Sequence, residues 1–271
     1  MNSVIINDIR KKTRNKKPVV HCITNPISIN LCANGVLAVG AKPIMAEHPL
    51  EVAEITKTAD SLVLNLGNIT DARIRSIKIS AETAREHNIP FVIDAVGVAC
   101  SQLRRNLIKE LLKEIKPTAI KGNYSEIFAL YDDFYSTTGV DADETLSIER
   151  ISNISVRLAR KYDTMILASG ETDIVTDGES IVYIHNGTSQ LAQLTGTGCL
   201  LGALCGCYLS VEQNINSLVT GCVVLGVCGQ LSETKKGNGS FAVNLMDNLS
   251  VISDVEIDKL LNIEVKNNEK L

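Results

Sequence analysis

Thr195-Gly196-Thr197-Gly198-Cys199 places two glycines around a threonine, with a thiol directly after. The run follows the turn formers Asn186-Gly187-Thr188-Ser189. It precedes the small-residue apolar stretch from Leu200 to Leu209, which predicts a buried helix. Bare N–H groups at a helix start, with the helix dipole behind them, favour an anion such as phosphate. The same field predicts a lowered pKa and a larger thiolate fraction for Cys199. A phosphate cradle beside an activatable group points to phosphoryl transfer. A tight loop with an inert, buried cysteine has the same local signature.

Other candidates have the same two-sided character. Asp94 ends the run Phe91-Val92-Ile93, where a carboxylate can hold a metal ion or cap a helix. Asn123-Tyr124-Ser125-Glu126 follows Lys121-Gly122. Its Asn-x-x-Glu spacing can form a capping box or aim Glu126 at Mg²⁺. Mg²⁺ takes few carboxylates, several waters and the phosphates of its substrate, so Asp94 and Glu126 on neighbouring strand ends suit it. Lys121 can pair a phosphate as a point charge. Ser169-Gly170 can contact a phosphate or close a turn. Asn25 offers a donor and an acceptor, and Met45 an adaptable apolar wall.

The elements that must position these residues alternate. Strands are predicted over 18–22, 43–45, 61–66, 90–94, 118–120 and 164–168, with helices over 27–39, 48–59, 71–87, 102–115, 123–131 and 144–162 between them. A hairpin over 173–176 and 180–185 turns at Asp177-Gly178. Helices follow over 199–210, 214–235 and 240–252. The polar end from Glu264 to Leu271 is expected to fray, and Tyr131–Glu144 to be a surface loop. This order predicts an α/β fold over 1–271, a mostly parallel sheet with helices on both faces. Ligands in such folds gather at the C-terminal strand ends. Thr24 and Asn25, Gly67 and Asn68, Asp94 and Gly97, Lys121 to Glu126, and Ser169 and Gly170 all fall there.

Composition narrows the class. The chain has 271 residues, 45% hydrophobic and 21% charged, with a net charge of −4. That balance gives a sizeable core and argues against a dedicated nucleic-acid binder. The basic run Arg10-Lys11-Lys12-Thr13-Arg14-Asn15-Lys16-Lys17 is the exception, and its simplest reading is a solvated helix end. No apolar run is long enough for a membrane span. Met1-Asn2-Ser3-Val4 lacks the start of a signal peptide. The eight cysteines show no C-x-x-C and no zinc spacing with the four histidines. A cytoplasmic protein with reduced thiols is expected.

Several segments, taken in order, resemble the hydroxyethylthiazole kinase family, a branch of the ribokinase-like kinases. They are Val20-His21-Cys22-Ile23-Thr24-Asn25, Ala33-Asn34-Gly35, Gly40-Ala41-Lys42-Pro43-Ile44-Met45-Ala46 and Leu64-Asn65-Leu66-Gly67. They continue with Lys121-Gly122-Asn123-Tyr124-Ser125-Glu126-Ile127, Thr172-Asp173-Ile174-Val175-Thr176-Asp177-Gly178, Gly196-Thr197-Gly198-Cys199 and Gly237-Asn238-Gly239-Ser240-Phe241. The resemblance implies a three-layer α/β/α sandwich of ribokinase-like fold. It implies phosphorylation of 4-methyl-5-(2-hydroxyethyl)thiazole by ATP and Mg²⁺, feeding thiamine salvage. Carried over by position, Met45, Gly196, Asn25 and Gly67 would contact the thiazole alcohol. Lys121 and Ser169 would contact ATP, Asp94 and Glu126 would serve Mg²⁺, and Cys199 would lie beside the reacting hydroxyl. A homotrimer with sites at subunit interfaces is implied as well.

Three departures from the family pattern stand out. Lys121 stands where the family usually has arginine, which removes the bidentate fork. Asp94-Ala95-Val96-Gly97 replaces Asp-Pro-Val-Gly, and Ala99-Cys100-Ser101 replaces Gly-Ala-Thr. Two other enzymes and a binding protein compete. A kinase for another small alcohol, such as hydroxymethylpyrimidine, would be expected to carry aspartate where Cys199 stands. A non-catalytic descendant would not need Asp94, Glu126, Lys121 and the glycine turn together. A dinucleotide oxidoreductase would need G-x-G-x-x-G after the first strand, where Thr24-Asn25-Pro26 stands instead.

Overall fold

The computed structural model describes residues 2–133, 135 and 146–267. Most of the expected loop at 131–144 and the last four residues, 268–271, lie outside them. The chain opens with helix α1 (Ser3–Lys16), strand β1 (Val19–Ile23), α2 (Ile29–Ala38), β2 (Lys42–Ile44), α3 (Val52–Thr58) and β3 (Ser61–Asn65). It continues through α4 (Asp71–Glu86), β4 (Phe91–Asp94), α5 (Gln102–Glu114), β5 (Ala119–Asn123), α6 (Tyr124–Tyr131), α7 (Ile148–Tyr162) and β6 (Met165–Ser169). The hairpin β7 (Asp173–Thr176) and β8 (Ser180–Ile184) follows. The chain ends with α8 (Ser189–Ala192), α9 (Thr197–Leu209), α10 (Ile215–Leu231), α11 (Asn238–Val251), α12 (Asp254–Leu260) and β9 (Ile263–Asn267).

The strands form one sheet in the order β2-β1-β3-β4-β5-β6-β7-β8-β9. Pairing is parallel from β2 to β6 and antiparallel from β6 to β9. Alternation along each strand divides the apolar residues between two cores. Val63, Val92, Ala119 and Leu167 enter the core shared with α9 and α10. Leu62, Leu64, Ile93, Ile120 and Ile166 enter the opposite core, against α4 to α7. Both faces are therefore covered, as parallel strands require. α9 and α10 are apolar all round because they lie inside the first layer. A Cβ at Gly206 would come within 2.4 Å of Val63 Cγ2, so glycine lets α9 lie directly on β3.

Two expectations change. The end of the chain does not fray at 263–267. It pairs antiparallel with β8, Val265 opposite Val182 and Ile263 opposite Ile184, because β8 otherwise leaves an open edge. The basic N-terminal run is also not merely a solvated end. Arg10 is buried and bonds Asp254 and the Ile252 carbonyl. Lys11 pairs with Asp254, Lys12 with Asp8 and Lys16 with Asp60.

Candidate functional site

In a parallel sheet, residues level with one another point to the same face. Asn65 at the end of β3 pairs with Asp94 at the end of β4, and Asp94 pairs with Lys121 on β5. Each lies two residues beyond an apolar residue of the α9 side: Val63, Val92 and Ala119. Three polar groups thus stand in a row beneath the N-terminus of α9. All three are buried.

They form one connected network. Lys121 Nζ donates to Asp94 Oδ1 at 3.0 Å. Asn65 Nδ2 donates to Asp94 Oδ2 at 2.8 Å and lies 3.3 Å from Cys199 Sγ. Asn65 Oδ1 accepts the Gly67 N–H at 2.8 Å. That last bond settles the amide orientation, since an N–H needs the oxygen and a carboxylate needs the nitrogen. Burial opposes the charge on Lys121, but Asp94, Glu126 and Cys199 more than offset this and hold the ammonium protonated. Burial raises the pKa of Asp94, while Lys121 and Asn65 pull it back down.

α9 begins over this network. Gly196 caps it at φ +96°, a conformation that favours glycine. A Cβ at Gly198 would lie 3.4 Å from Lys121 Nζ, and one at Gly202 3.5 Å from Asp94 Oδ2. The expected drop in the Cys199 pKa is overturned. Burial, followed by the charge of Asp94, pushes it upward, and Ser28, Lys121 and Asn65 offset only part of that. The helix terminus supplies a partial charge, which dry surroundings and a neighbouring carboxylate outweigh.

Glu126 forms the capping box that its motif allows, with Asn123, and its Oε2 accepts the Asn123 N–H at 2.7 Å. Its Oε1 reaches back to the Gly97 N–H, also at 2.7 Å, and ties the loop after Asp94 to α6. Burial raises its pKa to about 7, with Lys121 acting in the opposite direction and Asp94 reinforcing the rise. Lys121 bonds Asp94 directly and acts on Glu126 through its charge, and each carboxylate oxygen retains a lone pair that a further cation could use. Among the described residues no group of three or more His, Cys, Asp or Glu converges. Mg²⁺ suits such a pair because it draws its other ligands from water and phosphate.

The remaining candidates lie on the loops after β1, β2 and β3, at the start of α9 and at the end of β6. Gly67 and Asn25 adjoin: a Cβ at Gly67 would lie 2.7 Å from Asn25 Nδ2. Gly196 lies against Ser28 and Leu31 at the start of α2. Met45 follows β2 and packs on the α9-side core. Its loop is held by His21, whose Nε2 is 2.9 Å from the Ala46 carbonyl. Ser169 ends β6, and its hydroxyl donates to the Gly122 carbonyl at 3.3 Å, outside the Asn65–Asp94–Lys121 network. Sequence reasoning passed over Asn65 as a role-bearing residue. A polar residue closing Ser61-Leu62-Val63-Leu64, in phase with Val63, was the available signal.

Comparison with known proteins follows the same lines. The model of the "Hydroxyethylthiazole kinase family" matches residues 10–254. The chain is 46% identical over 260 residues to hydroxyethylthiazole kinase 2 of Clostridium botulinum, covering 94% of this chain and 98% of that protein. It is 43% identical to hydroxyethylthiazole kinase of Finegoldia magna, with 96% of each covered. The solved hydroxyethylthiazole kinase structure from Pyrococcus horikoshii superposes with a TM-score of 0.89 at 31% identity, covering 97% of this chain and 99% of that one. A ribokinase-like protein from Enterococcus faecalis shares the fold at a TM-score of 0.66 and 10% identity, covering 96% of this chain and 95% of that one.

Proposed function

The chain belongs to the hydroxyethylthiazole kinase family, and we propose that the network beneath α9 is where it carries out that family's reaction. The reaction is ATP-dependent phosphorylation of the hydroxyl of 4-methyl-5-(2-hydroxyethyl)thiazole, for thiamine salvage. The observation that carries the placement is the level row Asn65–Asp94–Lys121 under a glycine-capped helix start.

Phosphoryl transfer demands positioning and charge neutralisation more than covalent chemistry. In this reading Asn25, Gly67, Met45 and Gly196 hold the alcohol. The amides from Gly196 to Cys199 face the charge on the transferred group. Lys121 and Ser169 hold the nucleotide, Lys121 exchanging part of its pairing with Asp94 for phosphate. Asp94 and Glu126 would hold Mg²⁺, which supplies positive charge to the terminal phosphates when bound. Cys199 Sγ adjoins the reacting hydroxyl as a proton acceptor. Its raised pKa keeps that contribution small beside the amides and cations.

The same reading makes the enzyme a cytoplasmic homotrimer with its sites at subunit interfaces. All eight cysteines are free thiols, which supports a reducing compartment. Ile27 and Leu50, 67% and 90% exposed, lie close in sequence to Asn25 and Met45, where a neighbouring subunit would cover them.

The test is ADP release from MgATP with and without the thiazole alcohol, with mass detection of the product. Thiazole-dependent turnover supports the reading. Turnover only with another alcohol, or none from folded, reduced protein, overturns it.

A further inference from the structure

The buried guanidinium of Arg73, third residue of α4, joins three loops that meet at one edge of the site. Its Nη2 donates to the Thr24 carbonyl at 2.6 Å, on the loop after β1. Its Nη1 donates to the carbonyls of Gly67 and Asn68, at 2.7 and 2.9 Å, on the loop after β3. Its Nε lies 3.4 Å from Glu47 Oε2, on the loop after β2, at ion-pair range and without a hydrogen bond. Asn68 is held at φ +50°, the left-handed region, with its carbonyl on the guanidinium. Thr24 precedes Asn25, Asn68 follows Gly67, and Glu47 lies two residues beyond Met45.

We propose that Arg73 is a positioning residue for the substrate half of the site, setting the spacing of the loops that carry Asn25, Gly67 and Met45. A planar fork with fixed donor directions sets the relative position of several carbonyls, whereas a single ammonium sets a distance to one or two. The guanidinium hydrogen-bonds to none of Asp94, Lys121, Glu126 or Ser169. Loss of the fork therefore acts on alcohol binding and leaves nucleotide binding alone.

The proposal rests on the assignment of Asn25, Gly67 and Met45 to the alcohol, and its test separates the two. Arg73→Lys and Arg73→Gln are made in the full chain. The KM for the thiazole alcohol is measured at saturating MgATP, the KM for ATP at saturating alcohol, and ADP binding by calorimetry. The alcohol KM is expected to rise about tenfold or more in both variants, from loss of charge-assisted hydrogen bonds. The ATP KM and ADP affinity are expected to stay within about twofold. Lysine, which keeps the charge, does not rescue. An unchanged alcohol KM overturns the proposal. So does a parallel rise of both constants, or loss of the fold in Arg73→Lys, since either makes the role a global one. A wild-type chain that makes no thiazole phosphate removes the underlying assignment instead.

Discussion

Lys121 Nζ lies 3.0 Å from Asp94 Oδ1, and the two side chains are 5% and 0% exposed. Each compensates a charge that would otherwise be stranded in a dry interior. Lys121→Met leaves Asp94 unpaired and is expected to cost about 3–5 kcal/mol of stability. Combining it with Asp94→Asn removes the stranded charge, so the double variant is more stable than the sum of the single losses. Urea unfolding of the three variants checks this. Strict additivity would show that the pair does not interact.

Asp173 supplies a pH dependence away from Asp94 and Glu126. Burial raises its pKa to about 6 from an ordinary 3.8, while the Gly170 N–H and Cys222 pull it down. The folded state therefore favours the protonated form. The stability this gives is fully present below about pH 4 and is lost as pH rises to about 6, a contribution of about 1–3 kcal/mol. Asp173→Asn keeps the acceptor for Gly170 and should flatten that part of the stability-against-pH curve. An unchanged slope in the variant would refute the assignment.

Cys199 should behave as a protonated, slowly alkylated thiol at neutral pH. Cys199→Ser is expected to lower kcat by less than about tenfold, below the range of a positioned general base. Cys199→Asp supplies a carboxylate at the same place, ionised at neutral pH where the thiol is protonated, and should retain turnover. Steady-state kinetics with mass-mapped iodoacetamide labelling reads all three. An aspartate variant with no activity would remove the proton-acceptor role.

Truncation after Asn262 removes β9 and reopens the edge of β8. The shortened chain should melt at a lower temperature and aggregate more readily, because an unpaired edge offers its backbone groups to other chains. Calorimetry and light scattering measure both. A truncated chain with wild-type melting and solubility would show that β9 adds nothing to the sheet.

The sequence by itself determined the layers and most of the strand ends. Short continuous apolar runs closed by a polar residue, as in Ser61–Asn65 and Phe91–Asp94, and turn formers such as Asp177-Gly178, are local signals that need no partner. For the same reason it placed Asp94 and Ser169 on strand ends and Gly196 at a helix start, whereas β5 runs past the expected end at Ile120, to Asn123, and takes Lys121 into the strand. Only the tertiary structure decided what those residues do to one another. Asn65 acquires its position between Asp94 and Cys199 from parallel register across β3 and β4 and from the close approach of α9. Arg73 meets Thr24 across 49 residues. β9 becomes a strand because β8, far earlier in the chain, has an edge to offer. The Cys199 pKa reverses because burial and the charge of Asp94, both properties of packing, outweigh a helix end that local sequence does announce.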